Sequence, residues 1–599
     1  ETSVAGFIQL PGSGRQVYDF NPGWRFFKGD ISGAETVNFD DRSWEVVSTP
    51  HTVELMPAEA SGCRNYQGPV WYRKHFVVPA ETKGQRVSIH FEAAMGKQIL
   101  YLNGKRIQEH IGGYLPFTLD LTTYGVQAGD SCLLAVFADN SDDKSYPPGK
   151  RQYTLDFTYH GGIYRDVWMI AKSPISITDA IESQTVAGGG VFVHFDQISE
   201  KSAQVCVNTE VQNENTRSES VIVETTLTDA DGKIIRRISG KLSLQSGEKK
   251  IIRQQMEVKN PKLWSPDTPY LYRVQSRLKK GNQSIDGGIT RVGIRLAEFR
   301  GKDGFWLNGK PFGQLVGANR HQDFAYVGNA LPNSQQWRDA KRLRDAGCTI
   351  IRTAHYPQDP SFMDACDELG LFVIVATPGW QYWNKDLQFG ELVHRNTREM
   401  IRRDRNHPSV LMWEPILNET RYPLDFALKA LDITKEEYPY PGRPVAAADV
   451  HSAGVKEHYD VMVGPVMMKR KTGRSNVSSL VSSGRMWMTG MPTIMITVQA
   501  AAGENIRCWC RHFLWLRVMM RCIALRACLS VVPSGIRSIT NEGITLIHIG
   551  EVFMMLFVRK NMHTRCSAVS LQPVCGILWL SVDPWFSLLM KCRSSLIKM

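Results

Sequence analysis

Cysteine is scarce over the first 460 residues of this chain. Only Cys63, Cys132, Cys206, Cys348 and Cys366 occur there. Their spacing matches neither a disulfide framework nor a zinc site, so they are read as buried thiols and no metal ligands are assigned. No apolar stretch is long enough to span a membrane. A basic segment followed by an apolar one is also missing from the start, which is Glu1 rather than Met. A leader is therefore read as removed or never present. Hydrophobic content of 43% and charged content of 22% are ordinary for a soluble globular protein. At 599 residues the chain is too long for one core and should divide into three or four domains.

Acidic residues are what the C-terminal segment lacks. Residues 461–599 hold 17 Lys and Arg against 4 Asp and Glu, whereas residues 1–460 hold 54 against 55. The formal net charge of +12 therefore belongs to the tail. Its charges form no ordered stripe or fold motif, which argues against nucleic-acid binding. The tail also carries 14 of the 21 Met and 7 of the 12 Cys. It shows no sustained period of 2 or 3.6 and no helix-capping pattern.

We read this break as a displaced reading frame. Met and Trp have single codons, so some outcomes of a shift are forced. Met467-Met468-Lys469 becomes Asp-Glu, Met486-Trp487-Met488-Thr489 becomes Val-Asp-Asp, and Met554-Met555 yields Asp. Acids return where the printed tail lacks them. The alternative is a genuine basic, Met-rich tail.

Residues 1–173 read as a β-rich domain. Trp24-Arg25-Phe26-Phe27, Val70-Trp71-Tyr72 and Val87-Ser88-Ile89-His90-Phe91 are strand-like, and Asn103-Gly104 is a hairpin signal. Residues 174–295 alternate apolar and polar positions in several runs, as in an immunoglobulin-like β-sandwich. From Gly293, short apolar strands alternate with helical stretches at Ser334 to Gly347, Pro360 to Gly370 and Glu391 to Asn406. That is a βα repeat. A (β/α)8 TIM barrel takes about 250 residues. Residues 296–460 therefore encode roughly its N-terminal half, and 461–599 should be its garbled remainder.

The most informative segment is His407 to Glu419. A short apolar run ending in Asn418-Glu419 reads as a barrel strand with its polar end at the catalytic rim. A carboxyl group there, shielded by Trp413 and its neighbours, would hold a raised pKa and donate a proton. The adjacent amide would grip a sugar hydroxyl. Such a pair suits protonation of the leaving oxygen in glycoside hydrolysis. Glu414 competes for the acid role, but it sits inside the strand pattern with no Asn before it.

Further segments agree with this reading. Gly317-Ala318-Asn319-Arg320-His321-Gln322-Asp323, Ile351-Arg352-Thr353-Ala354-His355-Tyr356-Pro357 and Asp367-Glu368-Leu369-Gly370-Leu371-Phe372-Val373 precede the Asn-Glu pair. In order and spacing, from about Asp19 to about Tyr459, the chain resembles glycoside hydrolase family 2. Gly23-Trp24-Arg25-Phe26, Trp71-Tyr72-Arg73 and Gly161-Gly162-Ile163-Tyr164-Arg165-Asp166 resemble its jelly-roll, sugar-binding-type domain. Trp264-Ser265-Pro266-Asp267-Thr268-Pro269-Tyr270-Leu271-Tyr272 resembles the last-strand signature of its sandwich, a domain expected to space the jelly roll from the barrel.

The resemblance implies a retaining exo-β-glycosidase acting on terminal β-linked sugars, foremost a β-galactosidase. Alternatives are a β-glucuronidase and an inactive carbohydrate-binding protein without a nucleophile. It implies Glu419 as general acid/base and Asn418 as the amide on the sugar 2-hydroxyl. Arg352 would hold the nucleophile ionised, and His355 and His321 would bond sugar hydroxyls. Asp156 would reach into the barrel mouth. Trp380 and Trp383 follow the strand Leu371 to Ala376 and either wall a sugar ring or pack in the core. Glu504, Glu542 and Glu551 lack the setting of the family nucleophile. In the shifted frame the codons of Gly484 and Arg485 admit a Glu, and those from Val461 admit Tyr-Gly-Trp-Ser-Gly-Asp-Asp-Glu-Lys. No cofactor is required; the resemblance admits Mg2+ or Na+. It also implies a bacterial periplasmic or extracellular setting, and leaves the oligomeric state open.

Overall fold

A computed structural model describes residues 3–56, 65–155, 157–447, 454–462, 486–487, 544–549 and 552–557. The chain forms two compact units, one of residues 1–56 and 63–497, the other of 57–62 and 498–599. Among the described residues, the second is one antiparallel hairpin of Ile544–Ile549 with Val552–Phe557. The forced acids at 467–468 and 488 and the candidate Glu codons at 484–485 lie outside the described residues.

The N-terminal domain of the first unit is a two-sheet jelly roll. One antiparallel sheet orders its strands Glu45–Val47, Trp24–Lys28, Pro69–Val77, Ser131–Asp139, Gly96–Leu102 and Lys105–Gly112. The other orders Gln16–Asp19, Val167–Lys172, Arg86–Phe91 and Phe117–Asp120. Along Gly96–Leu102 buried and half-buried positions alternate, as one covered face requires. Trp24, Tyr72, Ile89, Phe91, Leu100 and Leu134 meet between the sheets. Asn103 and Gly104 turn the hairpin with φ of 50° and 84°, both in the left-handed region that such a two-residue turn demands.

The Gly161–Asp166 motif reaches beyond the jelly roll. Arg165 is fully buried and crosses into the barrel. Its guanidinium donates to Tyr114 O at 2.9 Å, Gln322 Oε1 at 3.0 Å and Pro357 O at 2.9 Å. A buried guanidinium needs such acceptors. The jelly roll thus packs directly on the barrel, and the sandwich is not a simple spacer between them.

The sandwich pairs a sheet of Ile8–Gln9, Gln283–Val292, Tyr272–Lys280, Glu219–Thr228 and Ile234–Leu244 with one of Ile175–Ile177, Ser202–Asn213, Val191–Asp196 and Lys249–Lys259. The Trp264–Tyr272 signature is not a last strand. Its residues 264–271 precede the strand Tyr272–Lys280, and a further strand follows. Trp264 instead staples sandwich to barrel. Its ring meets Phe372 edge-on at 5.3 Å, and its Nε1 donates to Asp367 O at 2.9 Å.

The barrel strands run parallel in chain order: β1 (Gly317–Arg320), β2 (Ile350–Thr353), β3 (Phe372–Ala376), β4 (Val410–Ile416), β5 (Val445–Ala447), β6 (Val461–Met462) and β7 (Met486–Trp487). β3 and β4 are buried at every position, as strands covered on both faces must be. Between them lie α1 (Asn333–Asp345), α2 (Pro360–Leu369), α3 (Leu387–Asp404) and α4 (Leu424–Glu437). α2 starts where Asp359 caps Ser361 N with Pro360 at the first position, and it stops at Gly370, φ 74°. α3 begins four residues before the expected Glu391, because Asp386 caps Gln388 N. The described cysteines of the first 460 residues, Cys132, Cys206, Cys348 and Cys366, are buried. No described helix is long and apolar enough to cross a membrane.

Candidate active site

β4 ends at Ile416, so Asn418 and Glu419 belong to the turn at its C-terminal end. Strand alternation no longer aims their side chains. Glu419 adopts φ 61°, in the left-handed region that residues other than glycine seldom enter. Asn418 is half-buried and Glu419 is exposed. The expected shielding by Trp413 does not occur. Trp413 points into the core, 6.2 Å from Tyr438 and under the Arg443 guanidinium at 5.7 Å. Glu419 Oε2 instead accepts from the side-chain amide of Gln381.

The buried carboxylate is Glu414, fully enclosed within β4. Arg352, at the end of β2, donates to it from Nε and Nη2, each at 2.7 Å. Burial pushes the Glu414 carboxyl up from its ordinary range, and the guanidinium opposes that rise. Arg352 Nη2 also donates to Asn418 Oδ1 at 3.1 Å. The expected charge pairing of Arg352 is therefore made, among the described residues, with Glu414.

A ring cluster completes the rim. His355 stacks on Trp380 with centroids 4.8 Å apart and planes 8° apart. His321 stacks on Phe157 at 4.7 Å and meets His355 edge-on at 5.7 Å. Burial, then the charges of Arg352, His321 and Lys150, hold His355 well below its usual pKa. His355 is thus a neutral imidazole at ordinary pH. Its buried Nδ1 has no hydrogen-bond partner among the described residues. Trp383 takes the core-packing alternative rather than the sugar wall. It packs with Phe389, Tyr422 and Phe426, the last at 4.4 Å.

Asp156 lies outside the described residues. Its neighbour Phe157 is buried among His321, His355, Tyr356 and Trp380, so this jelly-roll segment does reach the barrel mouth. Phe157, Lys150 and Gln381 were not singled out in the sequence. Lys150, also from the jelly roll, sits 4.7 Å over the Trp380 ring and donates to Gln381 Oε1. Gln381 thereby links a jelly-roll cation to the Glu419 carboxylate. The only advance signal was adjacency, to Asp156 and to Trp380.

A jelly roll, an immunoglobulin-like sandwich and a parallel βα barrel with a polar rim make up the architecture of a large class of glycoside hydrolases. Three descriptions of one family match this chain in succession. "Glycosyl hydrolases family 2, sugar binding domain" matches residues 29–174, "Glycosyl hydrolases family 2" residues 189–295, and "Glycosyl hydrolases family 2, TIM barrel domain" residues 299–469. The chain belongs to glycosyl hydrolases family 2.

A β-galactosidase of Thermoanaerobacter pseudethanolicus is 36% identical over 414 residues, 69% of this chain and 53% of that protein. A β-glucuronidase of Formosa agariphila is 31% identical over 424 residues, 68% of this chain and 42% of that one. A solved Bacteroides uniformis β-glucuronidase 2, covalently bound to cyclophellitol-6-carboxylate aziridine, has a TM-score of 0.68 and 30% identity. It covers 75% of this chain and 55% of its own. The chain spans about half the length of these relatives.

Proposed function

We propose that this chain derives from a retaining exo-β-glycosidase that removes terminal β-linked sugars, with Glu419 as general acid/base. The observation that carries the reading is the Asn418–Glu419 turn at the C-terminal end of β4, beside the Arg352–Glu414 pair. Protein ligands for a sugar belong at that end of a barrel. Asn418, tied to Arg352, offers an amide to a sugar hydroxyl. Neutral His355 can exchange hydrogen bonds with hydroxyls, and Trp380, stacked on it, holds the imidazole at the rim. Glu419, exposed at the rim and tethered by Gln381, is the group assigned on this proposal to protonate the leaving oxygen. The covalent aziridine adduct of the relative favours a route through a glycosyl-enzyme, which needs a second carboxylate as nucleophile. That residue falls, on this proposal, in the frame-displaced segment after about residue 461.

A β-galactoside is the first substrate proposed, in line with the Thermoanaerobacter relative. A β-glucuronide is the second, favoured by the glucuronidases among the relatives and by the ammonium of Lys150 at the rim. A periplasmic or extracellular setting is part of the same proposal. Sequencing the DNA across codons 455–465 tests the frame. Assays of the frame-restored protein on nitrophenyl galactoside and glucuronide test the substrate. Turnover of one identifies it. Sugar binding without turnover of either makes the protein a lectin-like binder and ends the enzymatic reading.

A further inference from the structure

Two groups of side chains among the described residues have metal-ligand composition: Asp364, Asp367 with His407, and His194, Asp196 with Cys206. In the first, every carboxylate is engaged. Asp364 holds Arg291 at 2.8 Å and accepts from Ser3, while Asp367 accepts from His407 Nδ1 at 2.6 Å and Ser409 N at 3.0 Å. It is an ion-pair network. The second group differs.

His194 and Asp196 alternate on one face of the strand Val191–Asp196, and Cys206 on Ser202–Asn213 is the direct cross-strand partner of His194. The register therefore gathers N, O and S donors on one face. Cys206 Sγ donates to Asp196 Oδ2 at 3.4 Å, and His194 Nδ1 stands 4.0 Å from Asp196 Oδ1. All three donor atoms lie within 4.8 Å of one another. The His194 side chain is 10% exposed, and its buried Nδ1 has no hydrogen-bond partner among the described residues. The ring cannot easily turn away, because Tyr440 stacks on it at 3.5 Å with planes 10° apart.

We infer that His194, Asp196 and Cys206 form a site for a thiophilic divalent cation of the Zn2+ class. A tetrahedral zinc with bonds of about 2.0–2.3 Å sets its donor atoms about 3.3–3.7 Å apart. The group reaches that with a contraction of about an ångström. Thiolate, imidazole and carboxylate together select zinc over the hard cations. The Asp196 side chain is 44% exposed, so water reaches the fourth position. On binding, the Cys206 proton passes to solvent and the thiolate takes its place at the ion. Phe192, on the same face, packs on Tyr438 and Tyr440, so the ion sits at the seam of sandwich and barrel.

The test uses the full chain and Co2+ as spectroscopic probe, then Zn2+ in competition. The expected result is a thiolate-to-cobalt charge-transfer band that Zn2+ removes. Cys206→Ser should bind one ion fewer per chain and lose the matching part of the band. Counting by difference separates this site from the other cysteines. Asp196→Asn, at a half-exposed position, should weaken the same ion with circular dichroism unchanged, and it carries the test if Cys206→Ser does not fold. Equal metal stoichiometry and affinity in the wild type and the folded variants overturns the inference. None of these readouts involves glycoside hydrolysis.

Discussion

Arg352 grips Glu414 through two parallel hydrogen bonds of 2.7 Å, across 62 residues of sequence and almost entirely out of water. The same guanidinium holds Asn418 at 3.1 Å. One side chain thus fixes both the buried carboxylate of β4 and the amide at its tip. Such a pair stabilises little on balance, but breaking it strands a charge.

Replacing Arg352 by Met should cost about 3–5 kcal/mol, the range for removing one partner of a buried ion pair. Arg352→Met combined with Glu414→Leu should cost clearly less. The sign with pH follows from Glu414. Without its cation, burial alone raises the carboxyl further, and the penalty falls on the ionised form. The loss in Arg352→Met should therefore be smaller near pH 5 and larger near pH 7. Urea denaturation at both values checks this, and a pH-independent loss would contradict it.

His407 gives the opposite kind of profile. Burial pushes its pKa down, but the charge and hydrogen bond of Asp367 outweigh burial and raise it above the ordinary value. A His raised on folding contributes stability that is fully present below its unfolded pKa and lost as pH rises through the folded one. The stability gap between wild type and His407→Gln should be widest below about pH 6.5. It should shrink as pH rises through the elevated folded value. Melting temperatures of both proteins across that window supply the measurement, and a gap that widens with pH would contradict the assignment.

The two tryptophans after β3 should separate. Trp383 is locked among Phe389, Tyr422 and Phe426, so Trp383→Ala should destabilise by about 3–5 kcal/mol. Trp380 stacks on His355 beneath the Lys150 ammonium. Trp380→Ala should cost less stability and weaken sugar binding more. Denaturation paired with calorimetric titration of sugar into the frame-restored protein distinguishes them. Equal behaviour of the two variants would remove Trp380 from the rim.

Much of this architecture was legible in particular residues. The apolar run of β3, and that of β4 broken by Glu414, announced barrel strands, and Asn103-Gly104 announced its turn. What stayed hidden depends on register and on contacts between distant segments. Glu419 is exposed in a turn where both it and Arg421 take left-handed φ. No local pattern announces that Arg352 meets Glu414, or that Phe157 and Lys150 of the jelly roll close over His355 and Trp380. His194 and Cys206 are twelve positions apart and touch only because two strands pair in one register. Spacing rules for zinc ligands miss such a pair.

The central claim is that Glu419 hands a proton to a departing sugar oxygen. Glu419→Gln in the frame-restored protein tests it most directly, with turnover measured on an unactivated disaccharide and on an activated nitrophenyl glycoside. The account predicts a fall of about 10²–10⁴-fold on the disaccharide and a much smaller one on the aryl glycoside, whose leaving group needs no acid. Equal and minor losses on both substrates would contradict it.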